Sequence, residues 1–201
     1  MVKLLHAIIT GLVGAALLHV IIILSLPHFV TASAYARVLA MGDEGRFYRI
    51  PDPSLPAQPP VPPSALKTGG KAPIPPLVNP DPFVSASACA ISVDGGPVRL
   101  FADGDVPFWS VVIFDKESNE VFSMNDRTSV SGALDILAGT KGQLPAIRKA
   151  LPDDLAQSIL VEMPAEGGYA VLRAISPRRS FKAGADDFLG SAECGAWKVG
   201  G

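Results

Sequence analysis

The stretch PFWSVVIFDKESNEVFSM, residues 107–124, determines what kind of domain this chain can form. Two runs rich in β-branched and aromatic residues flank the polar tetrapeptide KESN. Such residues favour strands and a short polar interruption favours a tight turn, so the stretch predicts an antiparallel hairpin. An antiparallel sheet is therefore the expected framework of the domain.

Similar apolar runs lie on both sides of this hairpin. Upstream, SACAISVD (87–94) is followed by GGPVRLFA (95–102), and the two glycines predict a turn between two strands. Downstream, SILVEMP (158–164) and YAVLRAI (169–175) bracket AEGG and predict a third hairpin. The pattern thus supports six strands.

Helical character is expected in two places. Residues 180–192 carry Phe181, Ala185, Phe188 and Leu189 near helical spacing, with Ser180 as the N-cap. ALDILAG (133–139) and LPAIRKALPDDLAQ (144–157) look helical or irregular. Residues 83–199 are therefore predicted to form a small α+β domain, mainly antiparallel and sandwich-like, with one or two helices.

Prolines dominate residues 51–82, PDPSLPAQPPVPPSALKTGGKAPIPPLVNPDP. Proline lacks a backbone N–H and restricts φ, so this composition disfavours helix and sheet and favours extended backbone. Thirty extended residues reach about 90 Å, so we expect a proline-rich linker that spaces the domain or drapes over it. Residues 28–50 are expected to be a juxtamembrane segment with a short helix near the lipid headgroups.

The N-terminal segment, residues 1–27, contains LLHAIITGLVGAALLHVIIILSLP, which carries no charged side chain. Helical residues 4–26 reach about 34 Å, enough to cross a hydrocarbon core of about 30 Å. A retained transmembrane anchor that stops at Pro27 is therefore expected. The alternative is a cleaved signal peptide with an Ala-x-Ala site at Ala32 and Ala34, although its apolar region normally spans about 7–15 residues.

Small residues form one face of this predicted helix. Ala7, Gly11 and Ala15 recur every four residues, which allows another helix to pack closely. His19 lies near the middle of the span, where an ionisable group is either functional or a neutral imidazole bonded to a carbonyl group.

The direction of insertion is weakly marked. Lys3 and the α-amino group precede the span, whereas Arg37, Arg46 and Arg49 follow it, so the positive-inside count is ambiguous or even adverse to an internal N-terminus. Short N-terminal signal-anchors nevertheless commonly insert with the N-terminus inside. We therefore expect a single-pass protein of the bacterial cytoplasmic (inner) membrane, with its C-terminal domain in the periplasm.

Composition excludes several classes of function. The 201 residues have a net charge of −2 and no run of five basic residues, so no nucleic-acid partner is expected. His6, His19 and His28 all lie in or beside the anchor, so the domain lacks a histidine for a catalytic triad or a metal. No nucleotide-binding or hydrolase motif occurs, and we expect no cofactor and no metal.

Two turns carry the weak candidates for ligand binding. Asp103 and Asp105 flank a glycine, which suits either oxygen ligands for a cation or an ordinary turn between strands. Asn125, Asp126 and Arg127 follow a strand, where they form either a clamp for an anion or a structural Asp–Arg pair. The structural interpretation is favoured for both turns.

Cys89 and Cys194 are the only cysteines. Unpaired thiols are a liability in an oxidising periplasm, so a disulfide that fastens the first strand to the C-terminal segment is expected. Two buried, reduced cysteines are the alternative.

Several segments, in this order, resemble a known family. They are AYARV, NPDPFVSASACAISVDGGPVRL, PFWSVVIFDKESNEVFSMNDRTS and GYAVLRAISPRRSFKAGADDFLGSAEC. The sequence is similar to the short, membrane-anchored proteobacterial form of domain of unknown function 1254 (DUF1254). The resemblance implies a separately encoded protein partner, because larger relatives fuse this domain to a second, β-sandwich domain. It implies no catalytic residue.

These features lead to a functional hypothesis. The favoured one is a non-enzymatic, membrane-anchored envelope protein that works as an interaction or accessory module with a partner protein. The alternative is a periplasmic enzyme or anionic-ligand-binding protein that uses the carboxylate and arginine cluster. A small subunit recruited into a membrane complex through its transmembrane helix is a third possibility.

Overall fold

Two stacked β-sheets form the body of the domain in the computed structural model, which describes residues 2–53 and 76–198 and, for 26–33, the helical backbone alone. The strands are β1 (Tyr48–Arg49), β2 (Val84–Ser92), β3 (Val98–Ala102), β4 (Trp109–Asp115), β5 (Glu120–Asn125), β6 (Leu134–Thr140), β7 (Ile159–Met163), β8 (Gly167–Ile175) and β9 (Glu193–Ala196). Sheet A has the order β1-β2-β8-β4-β5, and sheet B the order β7-β6-β3-β9. Every pairing is antiparallel except that of β6 with β7.

Three helices accompany the sheets: α1 (Val2–Leu39), α2 (Leu144–Lys149) and α3 (Lys182–Ser191). Short 3-10 turns cover Asp153–Leu155 and Arg179–Phe181. An apolar helix followed by a mainly antiparallel β domain with a few helices confirms the predicted α+β class.

The main core lies between the two sheets. Along β4, Trp109, Val111 and Ile113 alternate inward and are almost fully buried. Helix α3 closes one end of the sandwich, where Phe188 stacks on Trp109 with ring centroids 6.1 Å apart. Each large apolar side chain buried in this way contributes about 1.5–3 kcal/mol.

The hairpin at residues 107–124 is confirmed, because β4 and β5 pair antiparallel. The other two predicted hairpins are wrong: β2 and β3 lie in different sheets, and so do β7 and β8. Strand β2 pairs instead with β8 along its whole length, from Val84 opposite Ile175 to Ser92 opposite Gly167. In a sandwich, consecutive strands can belong to opposite sheets, and their apolar patterns are the same in either case.

Residues 134–140 form β6 rather than the helical or irregular segment expected from ALDILAG. This strand is buried on both faces, because α2 and the turn Asp153–Leu155 cover the outer face of sheet B, where Leu137 packs with Leu144. A strand covered on both faces loses the alternation that identifies half-buried strands. The short strands β1 and β9 were also not expected, so the described residues contain nine strands rather than six.

The expected helical character of 144–157 and 180–192 is confirmed by α2 and α3. Ser180 does not cap α3, because Phe181 occupies the N-cap and makes no side-chain capping bond. The 3-10 turn Arg179–Phe181 leads the chain into the helix instead.

Helix α1 continues to Leu39, so it passes through Pro27, where we expected it to end. A proline inside a helix removes one hydrogen bond, which weakens the helix locally without forbidding its continuation. The segment Val2–Ser25 is long and apolar enough to cross a membrane, and none of it is buried in the structure.

The last turns of α1 pack on the outer face of sheet A. Val38 is 3% exposed and lies among Ala88, Ala90 and Tyr169. On this face of β2, alanine occupies every second position of VSASACAIS (84–92) from Ala86 to Ala90. Such small side chains let a helix approach a sheet closely. The helix expected to lie near the headgroups is therefore part of the folded domain.

Most of the proline-rich stretch, residues 54–75, lies outside the described residues. Its two ends are described and lie side by side: the Asn79 N–H donates to the Pro51 carbonyl at 2.9 Å, and Leu77 packs in the same apolar cluster as Ile50. Because β1 and the end of α1 already contact sheet A, the stretch does not set the distance between the anchor and the domain. The folded unit thus begins well before residue 83.

Candidate functional site

An open groove lies on one side of the sandwich, between residues 45–47 and the edge strand β9. Its volume is about 430 Å³, which falls within the range of sites that bind small ligands. The residues that shape it are Arg46, Phe47, Phe101, Gly195, Trp197 and Lys198.

Strands β3 and β9 supply one wall of the groove. In their antiparallel register Arg99 lies opposite Gly195 and Phe101 lies opposite Glu193, so these four residues share the outer face of sheet B. Among the described residues other than its chain neighbours, a Cβ atom on Gly195 would have one atom within 4 Å, the carbonyl oxygen of Gly45 at 3.9 Å. The missing side chain of Gly195 therefore leaves the floor of the groove open.

Gly45 positions the opposite wall. Its φ of +77° lies in the left-handed region that favours glycine. Its N–H donates to the Ala90 carbonyl of β2 at 2.9 Å, and a Cβ atom on it would lie 3.6 Å from the Cys194 carbonyl oxygen. This turn brings Arg46 and Phe47 beside β9.

Arg99 is held on the wall by two aspartates. Its Nε and Nη2 atoms each donate to Asp135 at 2.9 Å, and Nη2 also donates to the Asp154 carbonyl. The hydrogen bonds to Asp135 raise the pKa of Arg99 above its ordinary value, so its charge is permanent. Trp197 joins the network by donating its Nε1–H to the Asp154 carboxylate at 3.2 Å.

The remaining charges of the groove are two cations and one carboxylate. Arg46 and Lys198 are exposed and make no ion pair with any described part of the chain. The Arg46 guanidinium lies 5.8 Å from the centre of the Tyr48 ring, a cation–π contact. Glu193 is the one carboxylate among the described lining residues. With Arg99 balanced by Asp135 and Asp154, the unpaired positive charge of the groove is that of Arg46 and Lys198.

A disulfide lies behind the groove wall. Cys89 on β2 is bonded to Cys194 on β9, with Cα atoms 6.6 Å apart and a sequence separation of 105. The bond joins sheet A directly to sheet B, so the strand that carries the groove is fastened to both halves of the sandwich.

Asp103 and Asp105 lie in the loop between β3 and β4 and are exposed. Their backbone carbonyls face α3: the Asp103 oxygen accepts from Ser191 Oγ at 3.3 Å, and the Asp105 oxygen lies near Gly184. Across the described residues, no group of three or more His, Cys, Asp or Glu side chains is arranged to hold a metal ion.

Asn125, rather than an Asp–Arg pair, organises the second predicted turn. Its Oδ1 atom accepts from the backbone N–H groups of Arg127 at 3.0 Å and Thr128 at 3.2 Å. The Asp126 N–H donates to the Trp109 carbonyl, and no ion pair joins Asp126 to Arg127 in the described ranges. Within those ranges, no hydrogen bond or ion pair joins this turn to Asp103 or Asp105.

The helix-packing residues Ala7, Gly11, Ala15 and His19 are all exposed along α1. A Cβ atom on Gly11 would have no neighbour within 4 Å among the described residues, so nothing in this part of the chain fills the small-residue face. The side chain of His28 lies outside the described residues.

Sequence reasoning missed the groove. Its residues come from EGRFYR (44–49), VRLFA (98–102) and ECGAWK (193–198), which are far apart in the chain. The one signal in the sequence was the glycine within ECGAWK, because a glycine inside a strand often marks a place where a ligand or another backbone approaches closely.

No family model and no curated protein matches the sequence. Among solved structures, the VPA0106 protein from Vibrio parahaemolyticus is similar, with a TM-score of 0.48 and 11% identity over 58% of this chain. An uncharacterised protein from Burkholderia cenocepacia is similar with a TM-score of 0.36 and 12% identity over 50% of this chain. In each case the match spans 28% of the other chain.

Proposed function

We propose that this chain is a single-pass envelope protein that presents its β-sandwich to a partner protein outside the cytoplasmic membrane. The observation that carries the proposal is the continuity of α1. Its segment Val2–Ser25 is apolar and long enough to span a bilayer, and the same helix ends packed on sheet A. An anchor built in this way holds the domain at the membrane without an intervening linker.

The helix sets which end of the domain faces the bilayer. Tyr35 lies beside Gly167 and 5.9 Å from Lys116 Nζ, at the end of the sandwich that carries the connections at 93–97, 116–119 and 164–166. This end faces the membrane, and the connection at 103–108 faces away.

The Cys89–Cys194 bond supports a periplasmic location, because disulfides persist in oxidising compartments and are rare in the cytosol. In the proposed topology the N-terminus lies in the cytoplasm and α1 is retained rather than cleaved after Ala34. N-terminal sequencing of the mature protein should return the residues that precede Ala34, and a product that begins at Tyr35 would exclude the anchor.

The resemblance to DUF1254 supports the choice of partner. In larger relatives of that family a second β-sandwich domain accompanies this one, and the proposed partner presents a domain of that kind to this sandwich.

Purification from native membranes in mild detergent tests the proposal. We expect a partner in near-stoichiometric amount, identified by mass spectrometry and retained after size-exclusion chromatography. A monomer at native expression level would overturn the proposal. A matched chain in which an unrelated apolar helix of equal length replaces Val2–Ser25 keeps the tether, so loss of the partner from that chain alone would indicate recruitment through α1 instead.

A further inference from the structure

The geometry points to a partner of defined chemistry for the groove between residues 45–47 and β9: an extended, acidic peptide segment of the partner protein. This inference rests on the proposed function, since it assigns the surface and the chemistry by which the partner is recognised. Charge, apolar walls and an exposed strand edge argue for it independently.

Charge favours an anionic occupant. Arg46 and Lys198 are exposed and have no ion-pair partner in the described residues, and Glu193 alone opposes them in the lining. Arg99 adds no further attraction, because Asp135 and Asp154 balance its charge. The two unpaired cations therefore supply the attraction for a carboxylate.

The walls favour a peptide over a simple anion. Phe47, Phe101 and Trp197 present aromatic surface, and the Trp197 ring is fixed by its hydrogen bond to Asp154. An extended peptide alternates its side chains, so a carboxylate aimed at the cations leaves the next residue free to contact an aromatic ring. Aromatic and arginine residues together are typical of the positions that contribute most to protein interfaces.

The edge of sheet B offers backbone hydrogen bonds to such a peptide. The Trp197 N–H donates to the Pro97 carbonyl, and this register turns the N–H and C=O groups of Ala196 away from β3. Gly45 lies close to the Cys194 carbonyl, so the open part of the edge is at Ala196. No described strand pairs with this side of β9. Extended peptides commonly bind at an edge of this kind.

Lipid headgroups are the rival anion. The Trp197 N–H bonds to Pro97 in the connection at 93–97, so part of the groove lies at the membrane-facing end of the domain. A phosphate headgroup would pair with the cations but would leave the N–H and C=O groups of Ala196 without strand partners, which favours a protein segment.

A defined peptide tests the inference on the full chain in nanodiscs. The probe is acetyl-Val-Glu-Phe-Asp-Val-amide, and its counterpart with glutamine and asparagine in place of the two acids is the neutral control. We expect NMR shifts at residues 45–47 and 193–198, and binding of the acidic peptide at least about tenfold tighter than that of the neutral one. Equal binding of the two peptides, or shifts elsewhere, would overturn the inference. Shifts produced instead by phosphatidylglycerol in the nanodisc would do the same and identify lipid as the occupant.

Charge reversal supplies the matched variants. The double variant Arg46→Glu, Lys198→Glu should not bind the peptide and should not recover the native partner. Arg148→Glu with Lys149→Glu makes the same change of charge on the exposed face of α2 and should retain both. If the groove variant still recovers the partner that wild type recovers, the inference fails and the proposed function stands. If wild type recovers no partner, the proposed function itself fails.

Discussion

Breaking the Cys89–Cys194 bond is expected to lower the stability of the sandwich by several kcal/mol. The bond closes a loop of 105 residues. For that length the chain-entropy model gives a contribution of about 4.8 kcal/mol at 25 °C, through restriction of the unfolded chain. The perturbation is reduction of the wild-type protein, compared with the double variant Cys89→Ala, Cys194→Ala, which cannot form the bond.

Guanidinium unfolding of the full chain in mild detergent micelles measures the effect. Trp109 is 1% exposed and stacks on Phe188, so its fluorescence reports the integrity of the core. With a denaturant slope of roughly 4 kcal/mol per molar, a loss of about 4.8 kcal/mol moves the midpoint down by about 1 M.

The double alanine variant provides the control for this experiment. Reductant should leave its midpoint unchanged, because the variant has no disulfide to lose. A wild-type midpoint that is also insensitive to reductant, with the bond shown to be open by thiol titration, would refute the reasoning.

Three further predictions concern α1, sheet A and the groove. Burial raises the pKa of Tyr35 above its ordinary value of about 10. The neutral phenol therefore stabilises the folded protein below pH 10, and this stabilisation is lost as the pH rises through the higher folded-state pKa. Unfolding midpoints measured from pH 9 to 12 should therefore fall more steeply for wild type than for Tyr35→Phe. Gly168→Ala should lower the free energy of unfolding by about 3 kcal/mol, because the new Cβ would overlap the Phe114 carbonyl, whereas Gly142→Ala, which has room for a Cβ, should have little effect in the same denaturation assay. Gly195→Leu should fill the groove and abolish binding of the acidic peptide without changing the unfolding midpoint, and retained binding would show that the peptide sits elsewhere.

The hairpin at 107–124 was predictable because both of its strands belong to one sheet and the turn between them is short. The assignment of β3 and β7 to sheet B was not predictable, because an apolar run has the same pattern whichever of two sheets it joins. Strand β6 was missed because α2 covers its outer face and removes the alternation of polar residues. Burial on both faces is a tertiary property, so short-range patterns do not contain it.

The groove was not predictable for a similar reason. Arg46 precedes β3 by about fifty residues and Lys198 follows it by about a hundred, and they meet only through the pairing of β3 with β9 and the bond of Gly45 to Ala90. The residues that the sequence did single out, Asp103 with Asp105 and Asn125 with Asp126, lie in turns, because aspartate and asparagine favour turns whatever else they do.

Paramagnetic broadening from a gadolinium-labelled lipid headgroup tests most directly whether α1 holds the sandwich at the membrane. In nanodiscs that contain the full chain, the amide signals of residues 93–96 and 116–119 should be broadened strongly, and those of residues 103–106, at the far end of the sandwich, should persist. Equal broadening at both ends, or none at either, would contradict a domain held upright by a helix that packs on sheet A.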